Sequence, residues 1–322
     1  MPISPNPPPI NPALVQALSS VFVKSYSATT TWGHMLSMIR MLPGLRAIYS
    51  FSSVDENGVV YDYSEQGRAL SRGTAYPTIS SHGLIPYADF VRASSQYLTR
   101  ADEPGLSITG ELTVMTWVWF DAQSSGQYTG LVSKWYATGN QRAYLLYKNT
   151  SDYFCFSASE DGTTLVTVDD STCYTGNGYT TGKWFFIAGV FIPSTSMKLF
   201  VNGVWYTNTT SIPASIYDST EPLNIGRFSR SNYLDGRTAI TIVCAKALDT
   251  TMINGLYSHM KPLFSGDFTP PATSSSSTTS SSSTSCSYST SSSTSTSSST
   301  SCSSSSTTSS TTSSSSYTAK PP

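Results

Sequence analysis

Short runs of alternating apolar and polar residues fill the chain from Pro43 to about Leu263. Gly, Pro, Asn and Asp separate these runs, which is the pattern of β-strands joined by turns. Two runs, Leu112–Phe120 and Trp184–Ile192, are apolar on both faces. Because a strand of this kind is covered on both sides, we predict that both lie in the middle of a sheet.

Turn and cap residues punctuate the same region. Asn202-Gly203 lies between MKLFV and VWY and predicts a two-residue hairpin, since both residue types tolerate positive φ. Glu160-Asp161-Gly162 predicts a second turn. Asp249 is predicted to cap the N-terminus of a short helix that passes through Leu256.

Residues 1–42 follow a different pattern. A proline-rich start precedes Asn11-Pro12, which predicts the beginning of a helix. A second helix is predicted from about Thr31 to Leu42. Helices this short need a surface to pack on, and two remain open: the chain's own sandwich, or a neighbouring subunit for which the segment is a docking arm. The apolar residues assigned to this role are Leu14, Leu18, Val21, Phe22, Trp32, Met35 and Ile39.

The C-terminal residues 269–322 are of low complexity. Apart from Cys286, Tyr288 and Cys302, every residue from Thr273 to Ser316 is serine or threonine. Such a segment buries too little apolar surface to offset its chain entropy. We therefore predict three regions: a docking arm over 1–42, a sandwich over 43–268, and a solvated Ser/Thr-rich tail or stalk over 269–322, a composition typical of O-glycosylation.

Composition excludes some classes of partner. The 322-residue chain has a formal net charge of −1 and only 11% charged residues, which gives no electrostatic basis for binding nucleic acid. It contains no apolar run long enough to span a membrane. The N-terminus lacks the basic start of a secretory signal. We expect an extracellular or virion-surface location, reached without a recognisable signal peptide.

The region from Pro43 to about Leu263 resembles the laminin-G-like, or concanavalin A-like, jelly-roll family. Its motifs occur in the family's order, among them TTGKWFFIAGV followed by LFVNG, PLNIG in Pro222–Phe228, and the closing strand of Tyr233–Leu248. The resemblance implies an all-β fold, a two-sheet antiparallel jelly-roll sandwich. It implies less about function, because the architecture is shared by lectins, adhesins, enzyme-attached modules and virion proteins.

The resemblance also implies two kinds of site, glycosidase and calcium. A glycosidase needs two carboxyl groups that flank the scissile bond, and none of the glutamates forms a Glu-x-Asp-x-x-Glu strand. Ser94-Ser95-Gln96 and Ala239-Ile240 stand where the family often carries acidic calcium ligands. We therefore assign no catalytic residue and no cofactor. Calcium stays open only through the carboxylates Asp169, Asp170 and Asp235, a set that supplies few of the oxygens the ion prefers.

Sugar binding would use exposed aromatic rings with polar groups nearby. The candidates in or near predicted loops are Tyr128, Trp135, Tyr136, Tyr179 and Tyr233. The alternative is that these rings pack along the rim of the sandwich. Asn149 and Asn208 match the N-glycosylation pattern.

Three functions follow from these features, in order of preference. The first is a non-enzymatic, surface-exposed structural or binding protein of a larger assembly, such as a virion decoration, fibre or appendage, oligomeric through its N-terminal arm. The second is a carbohydrate-binding, lectin-like module that contacts cell-surface glycans. The third is a glycoside hydrolase.

Overall fold

The computed structural model describes residues 32–55, 57–121, 126–169 and 181–265. The first predicted helix, the Ser/Thr-rich tail and the candidates Asp170 and Tyr179 lie outside these residues. The described part contains two α-helices, which we call α1 (Trp32–Ile39) and α2 (Thr250–Phe264), and a short 3₁₀-helix at Arg92–Ser94. Within that part, no helix has the length and apolarity needed to cross a bilayer.

Seventeen strands make up most of the described residues. They are β1 (Leu45–Tyr49), β2 (Ser71–Arg72), β3 (Thr78–His82), β4 (Ile85–Phe90), β5 (Leu98–Arg100), β6 (Leu112–Phe120), β7 (Thr129–Tyr136), β8 (Gln141–Lys148), β9 (Phe154–Ala158), β10 (Val166–Asp169), β11 (Trp184–Ile192), β12 (Ser196–Val201), β13 (Val204–Asn208), β14 (Leu223–Ile225), β15 (Arg227–Phe228), β16 (Asn232–Tyr233) and β17 (Gly236–Cys244).

Two antiparallel sheets and one small hairpin account for every strand. The eight-stranded sheet has the order β13-β12-β11-β6-β17-β4-β3, with β1 paired to β17 beside β4. The seven-stranded sheet has the order β10-β9-β8-β7-β14-β5-β2, and β15 pairs with β16 alone. This arrangement confirms the predicted all-β fold of two antiparallel layers.

The two faces of β6 show how the layers pack. Leu112, Val114 and Phe120 are completely buried in the core between the sheets. Met115 and Trp117 point the other way, into a second apolar cluster. Alternate side chains of one strand thus enter two different cores, as the apolar character of both faces predicted.

The second core is closed by the two helices. Phe264 of α2 stacks on Trp117 with ring centroids 4.0 Å apart, and Met35 and Ile39 of α1 are completely buried in the same cluster. The second predicted helix, α1, therefore packs on the chain's own sandwich and not on a neighbouring subunit. Its buried residues Met35 and Ile39 are therefore not available to dock a neighbouring subunit, which corrects their assignment to an assembly surface.

The predicted turn and cap residues occupy their expected positions. Asn202 and Gly203 have φ of 47° and 105° and connect β12 to β13. Asp249 accepts a 2.8 Å hydrogen bond from Met252 N at the start of α2. The Asp161 carboxylate accepts bonds from the backbone N–H groups of Thr164 and Thr163, which hold its pKa well below the usual range.

Candidate functional site

Four of the five predicted sugar-contact residues meet around one hairpin. Leu146 of β8 faces the core between the sheets, whereas its neighbour Leu145 packs with Trp135 and Phe228 on the opposite, outer face of the seven-stranded sheet. The β15–β16 hairpin lies on this outer face. The surface, which we call the aromatic–arginine face, consists of Tyr97, Tyr128, Trp135, Tyr136, Tyr147, Arg227, Phe228, Arg230 and Tyr233.

Small residues of β7 let the hairpin lie directly on the sheet. A Cβ on Gly130 would overlap the backbone of Arg227. Ser133 Oγ donates a 2.7 Å hydrogen bond to Arg227 O, and Ser229 N donates to Trp135 O at 3.3 Å. The hairpin is thus fixed through its backbone, and its side chains are left to form the surface.

An aromatic cluster forms the centre of the face. Phe228 meets Tyr128 and Tyr147 edge-on, with centroids 5.9 and 5.7 Å away. Trp135 packs beneath and is only 5% exposed, whereas Tyr128 is 44% exposed. Edge-to-face contacts of this kind hold rings in fixed orientations. Tyr128 therefore presents a supported ring to solvent.

Two arginines of the hairpin lie over tyrosine rings. The Arg227 guanidinium is 3.4 Å from the centroid of Tyr97, and that of Arg230 is 4.1 Å from Tyr136. Burial raises the pKa of Tyr97, but the hydrogen bond with Thr74 and the charge of Arg227 outweigh it, so the pKa is lowered overall. Stacking on a ring face leaves the edge of a guanidinium group available for hydrogen bonds. Arg227 Nη2 donates to Asn224 Oδ1 at 3.0 Å, and Arg230 Nη2 pairs with Glu221.

The loop that carries Tyr128 is held by two cations. Arg92 Nη1 donates to Gln127 Oε1 at 2.9 Å and to Tyr128 O at 3.4 Å. Lys148 Nζ donates to Gln127 O at 3.1 Å and pairs with Asp152. Burial lowers the pKa of Lys148, although the Asp152 carboxylate opposes this shift. These bonds fix the backbone on both sides of the exposed ring.

A completely enclosed lysine fixes the loop that leads into β14. Lys134 is 1% exposed, and its Nζ donates to Asp102 Oδ1 at 2.7 Å and to Glu221 O at 2.8 Å. It also donates to Ser219 O. The loop with Ser219 and Glu221 precedes β14 and the hairpin, so this ammonium group helps to set the position of the aromatic–arginine face.

Sequence reasoning found Tyr128, Trp135, Tyr136 and Tyr233 of the face, but it missed Tyr97, Tyr147, Phe228 and both arginines. Tyr97 directly precedes β5, and Arg227 belongs to the Pro222–Phe228 motif, so neither residue lies in a predicted loop. A usable signal was present in GRFSRSNY, where two arginines flank a phenylalanine in a turn. Exposed basic residues beside aromatic ones are typical of binding surfaces.

Three carboxylates outside this face, those of Asp89, Asp121 and Glu103, pair with arginines. The Arg237 guanidinium lies 3.4 Å from Asp89 Oδ2 and 3.0 Å from Asp121 Oδ1. Burial raises the pKa of Asp89 despite the opposing charge of Arg237. Glu103 pairs with Arg68 and Arg100. The Arg237 guanidinium thus occupies the space between Asp89 and Asp121 that a glycosidase would keep for sugar and water, and both carboxylate oxygens of Glu103 are bonded to arginines.

The two candidate calcium ligands within the described residues, Asp169 and Asp235, lie at different strands. Asp169 ends β10 at one edge of the seven-stranded sheet, whereas Asp235 Oδ1 accepts a 3.3 Å bond from Arg92 N before β17. Throughout the described ranges, no three His, Cys, Asp or Glu residues lie close enough to hold a metal ion. Since calcium prefers six to eight oxygens, the side chains described here do not fit a site for it.

The two glycosylation candidates lie at strand ends. Asn149 Oδ1 accepts bonds from the backbone N–H groups of Ser151 and Tyr153. Asn208 Oδ1 accepts from Thr210 N, and its Nδ2 donates to Thr167 O at 3.0 Å. A glycan on Asn208 would replace an N–H of this amide group, so modification there would compete with its bond to Thr167.

The two stacked antiparallel sheets define a β-sandwich. The sequence profile of the concanavalin A-like lectin/glucanases superfamily matches residues 92–253, which is half of the chain. The chain therefore belongs to this superfamily, in agreement with the predicted resemblance. No curated protein matches the chain in sequence.

Solved structures with the same fold include toxin binding domains. The binding domain of paraclostridial mosquitocidal protein 1 aligns with a TM-score of 0.54 at 11% identity, over 69% of this chain and 53% of that one. The binding domain of botulinum neurotoxin DC, solved with rat synaptotagmin II, gives 0.50 at 12%, over 67% and 52%. The serotype D ligand-binding domain, solved with N-acetylneuraminic acid, gives 0.51 at 14%, over 70% and 52%.

The chain thus covers about half the length of each of these neighbours. At this low sequence identity, the structural similarity shows a shared fold alone.

Proposed function

We propose that this domain is a non-catalytic binding module whose aromatic–arginine face binds glycans. The observation that carries the proposal is the pairing of an exposed, rigidly supported ring, Tyr128, with hairpin arginines on the same face. A sugar ring stacks on an aromatic side chain, while guanidinium N–H groups bond to its hydroxyl or carboxylate oxygens. The serotype D neighbour, solved with N-acetylneuraminic acid, supports a sugar ligand for this fold.

Two of the residues are accessible enough to make first contact. Tyr128 is 44% exposed, and the Arg230 side chain is 56% exposed while it pairs with Glu221 Oε2 at 3.4 Å. Glu221 is itself only 6% exposed, so this pair should persist when a ligand binds, and the ligand would bond to the Arg230 N–H donors that Glu221 does not engage. The carboxylates that pair with Arg237, Arg68 and Arg100 also favour a binding role, because a glycosidase needs two carboxyl groups that face the sugar.

Replacing Tyr128 or Arg230 by alanine should weaken glycan binding about tenfold each, because each removes roughly 1.4 kcal/mol of contact. A glycan array identifies the ligand, and isothermal titration of the full chain, with and without calcium, measures its affinity. Tyr61→Ala is the control, since Tyr61 is 47% exposed and is not part of the face. Equal affinities for all three variants, or no binding to any glycan at millimolar concentration, would refute the proposal.

The wider context we propose is a surface protein of a larger assembly, extracellular or on a virion. It is favoured by the order of three unlike regions: a proline-rich arm, a sandwich, and a tail of serine and threonine. Since α1 packs on its own sandwich, the residues left for docking a neighbouring subunit are Leu14, Leu18, Val21 and Phe22. The sandwich would then be displayed on the surface of the assembly.

The double substitution Leu14→Asp with Leu18→Asp should convert an oligomeric chain to a monomer, because it places two charges on the apolar face of the predicted arm helix. Sedimentation equilibrium of the full chain measures the mass. Gln16→Asp with Ser20→Asp adds the same charge on the opposite helical face and should leave the oligomer intact. A monomeric wild-type chain, or equal dissociation of both variants, would contradict an arm-mediated assembly.

A further inference from the structure

Strand β3 is an open edge of the eight-stranded sheet. It pairs with β4 in continuous register, and no strand of the described residues pairs with its other side. Protein edges are usually blunted by lysine, proline or a bulge. The sequence TISSH of Thr78–His82 has none of these. The strand is therefore suited to accept another strand.

The two lateral sides of the sandwich differ. On one side β10 lies against β12 and β13, which brings the edges of the two sheets together. On the β3 side, a recess of about 290 Å³ separates Thr78 and Ile79 from Arg72 and Leu98 of the other sheet. Its lining is mostly apolar and includes Tyr76.

A second recess lies farther along β3. It has a volume of about 560 Å³ and is lined by Ser80, Ser81, Leu84 and the first described residue, Trp32. Ile79 borders both recesses. Tyr76, just before β3, is 48% exposed, and Leu84, just after it, is 66% exposed. Large side chains are thus partly exposed at both ends of the open edge.

The segment immediately before Trp32 has the composition of a strand. It reads VFVKSYSATTT over residues 21–31, and seven of its eleven residues are β-branched or aromatic. Phe22 and Tyr26 share one face of an extended chain, and Val21 and Val23 share the other. Residues 29–31 alone span roughly 10 Å when extended, which is enough to lead from Trp32 onto the neighbouring edge.

We propose that residues 21–28 pair with β3 of the same chain and extend the eight-stranded sheet by one strand. The segment ends at Trp32, which lines the recess beside Ser80 and Ser81, so the added strand would run parallel to β3. Its alternating side chains would cover the recesses, Tyr76 and Leu84. The short link to Trp32 favours the same chain over a second copy. The predicted arm helix would then end before Val21, so that Val21 and Phe22 belong to the added strand and Leu14 and Leu18 are the residues left for docking a neighbouring subunit.

Amide hydrogen exchange of the full-length chain tests this pairing. The outward-pointing amides of β3 should be protected in the wild type, and Val23→Pro with Ser25→Pro should speed their exchange about 100-fold, because proline removes the pairing N–H groups. Asn6→Pro with Ile10→Pro is the control, and it should leave β3 protected. The amides of β6 and β11 should keep their protection in every variant.

Two outcomes would overturn the proposal. One is rapid exchange of the outward amides of β3 in the wild type, or exchange that the Val23→Pro and Ser25→Pro changes leave unaltered. The other is protection that rises with protein concentration, since this would assign the added strand to a second copy of the chain.

Discussion

Replacing Lys134 by methionine is expected to lower the free energy of unfolding by about 3–5 kcal/mol, the usual cost of removing one partner of a buried ion pair. The Lys134 side chain is 1% exposed, whereas the Asp102 side chain is 30% exposed. Methionine has similar length but no donors, so it leaves the carbonyl oxygens of Ser219 and Glu221 buried without their bonds to the ammonium group. Denaturant unfolding monitored by tryptophan fluorescence measures the change.

Lys261→Met is the matched control for this substitution. Lys261 is exposed in the last turn of α2, so its replacement should change stability by no more than about 0.5 kcal/mol. If the two variants lost equal stability, the ammonium of Lys134 would not be the group that holds the loop before β14. The same variant should also weaken glycan binding, because that loop leads to Arg227 and Arg230.

Gly189→Ala should cost about 2–3 kcal/mol, although it adds a single methyl group. Gly189 lies in the middle of β11, and a Cβ there would overlap the ring of Phe156, which is completely buried in the opposite sheet. Neither side can move away without separating the layers, and overpacking of a dense core typically costs this much. Thermal and denaturant unfolding should give the same loss.

Gly110→Ala provides the comparison. No atom lies within 4 Å of the Cβ position at Gly110, so the same substitution should be nearly neutral there. Equal stability of the two variants would mean that the sheets are not in contact at Phe156, and the packing of β11 against β9 would have to be revised.

Patterns within one strand or one turn were predictable from sequence. The apolar character of both faces of Leu112–Phe120 predicted a central strand, and β6 lies between β11 and β17. Asn202-Gly203 predicted its hairpin because the conformation depends on those two residues alone. Local preferences of this kind do not need the rest of the fold.

Contacts between distant segments were not predictable in the same way. Arg227 meets Tyr97 across 130 positions of sequence because β14 pairs with β5, and nothing in either segment specifies that register. The helix that covers the second core is also distant in sequence from the strand it contacts, since Phe264 of α2 stacks on Trp117 of β6. Lys134 lies in a strand where a lysine would ordinarily be exposed, and its burial depends on oxygens from two other loops.

The most direct test is to map the glycan on the protein by backbone and side-chain amide chemical shifts. The full-length chain would be titrated with the glycan that binds most strongly on the array. We predict that the shifts concentrate on residues 227–233, on the loop of Tyr128 and on the indole N–H of Trp135. Shifts confined to the open edge at β3, or to the Arg237 cluster with Asp89 and Asp121, would contradict binding at the aromatic–arginine face.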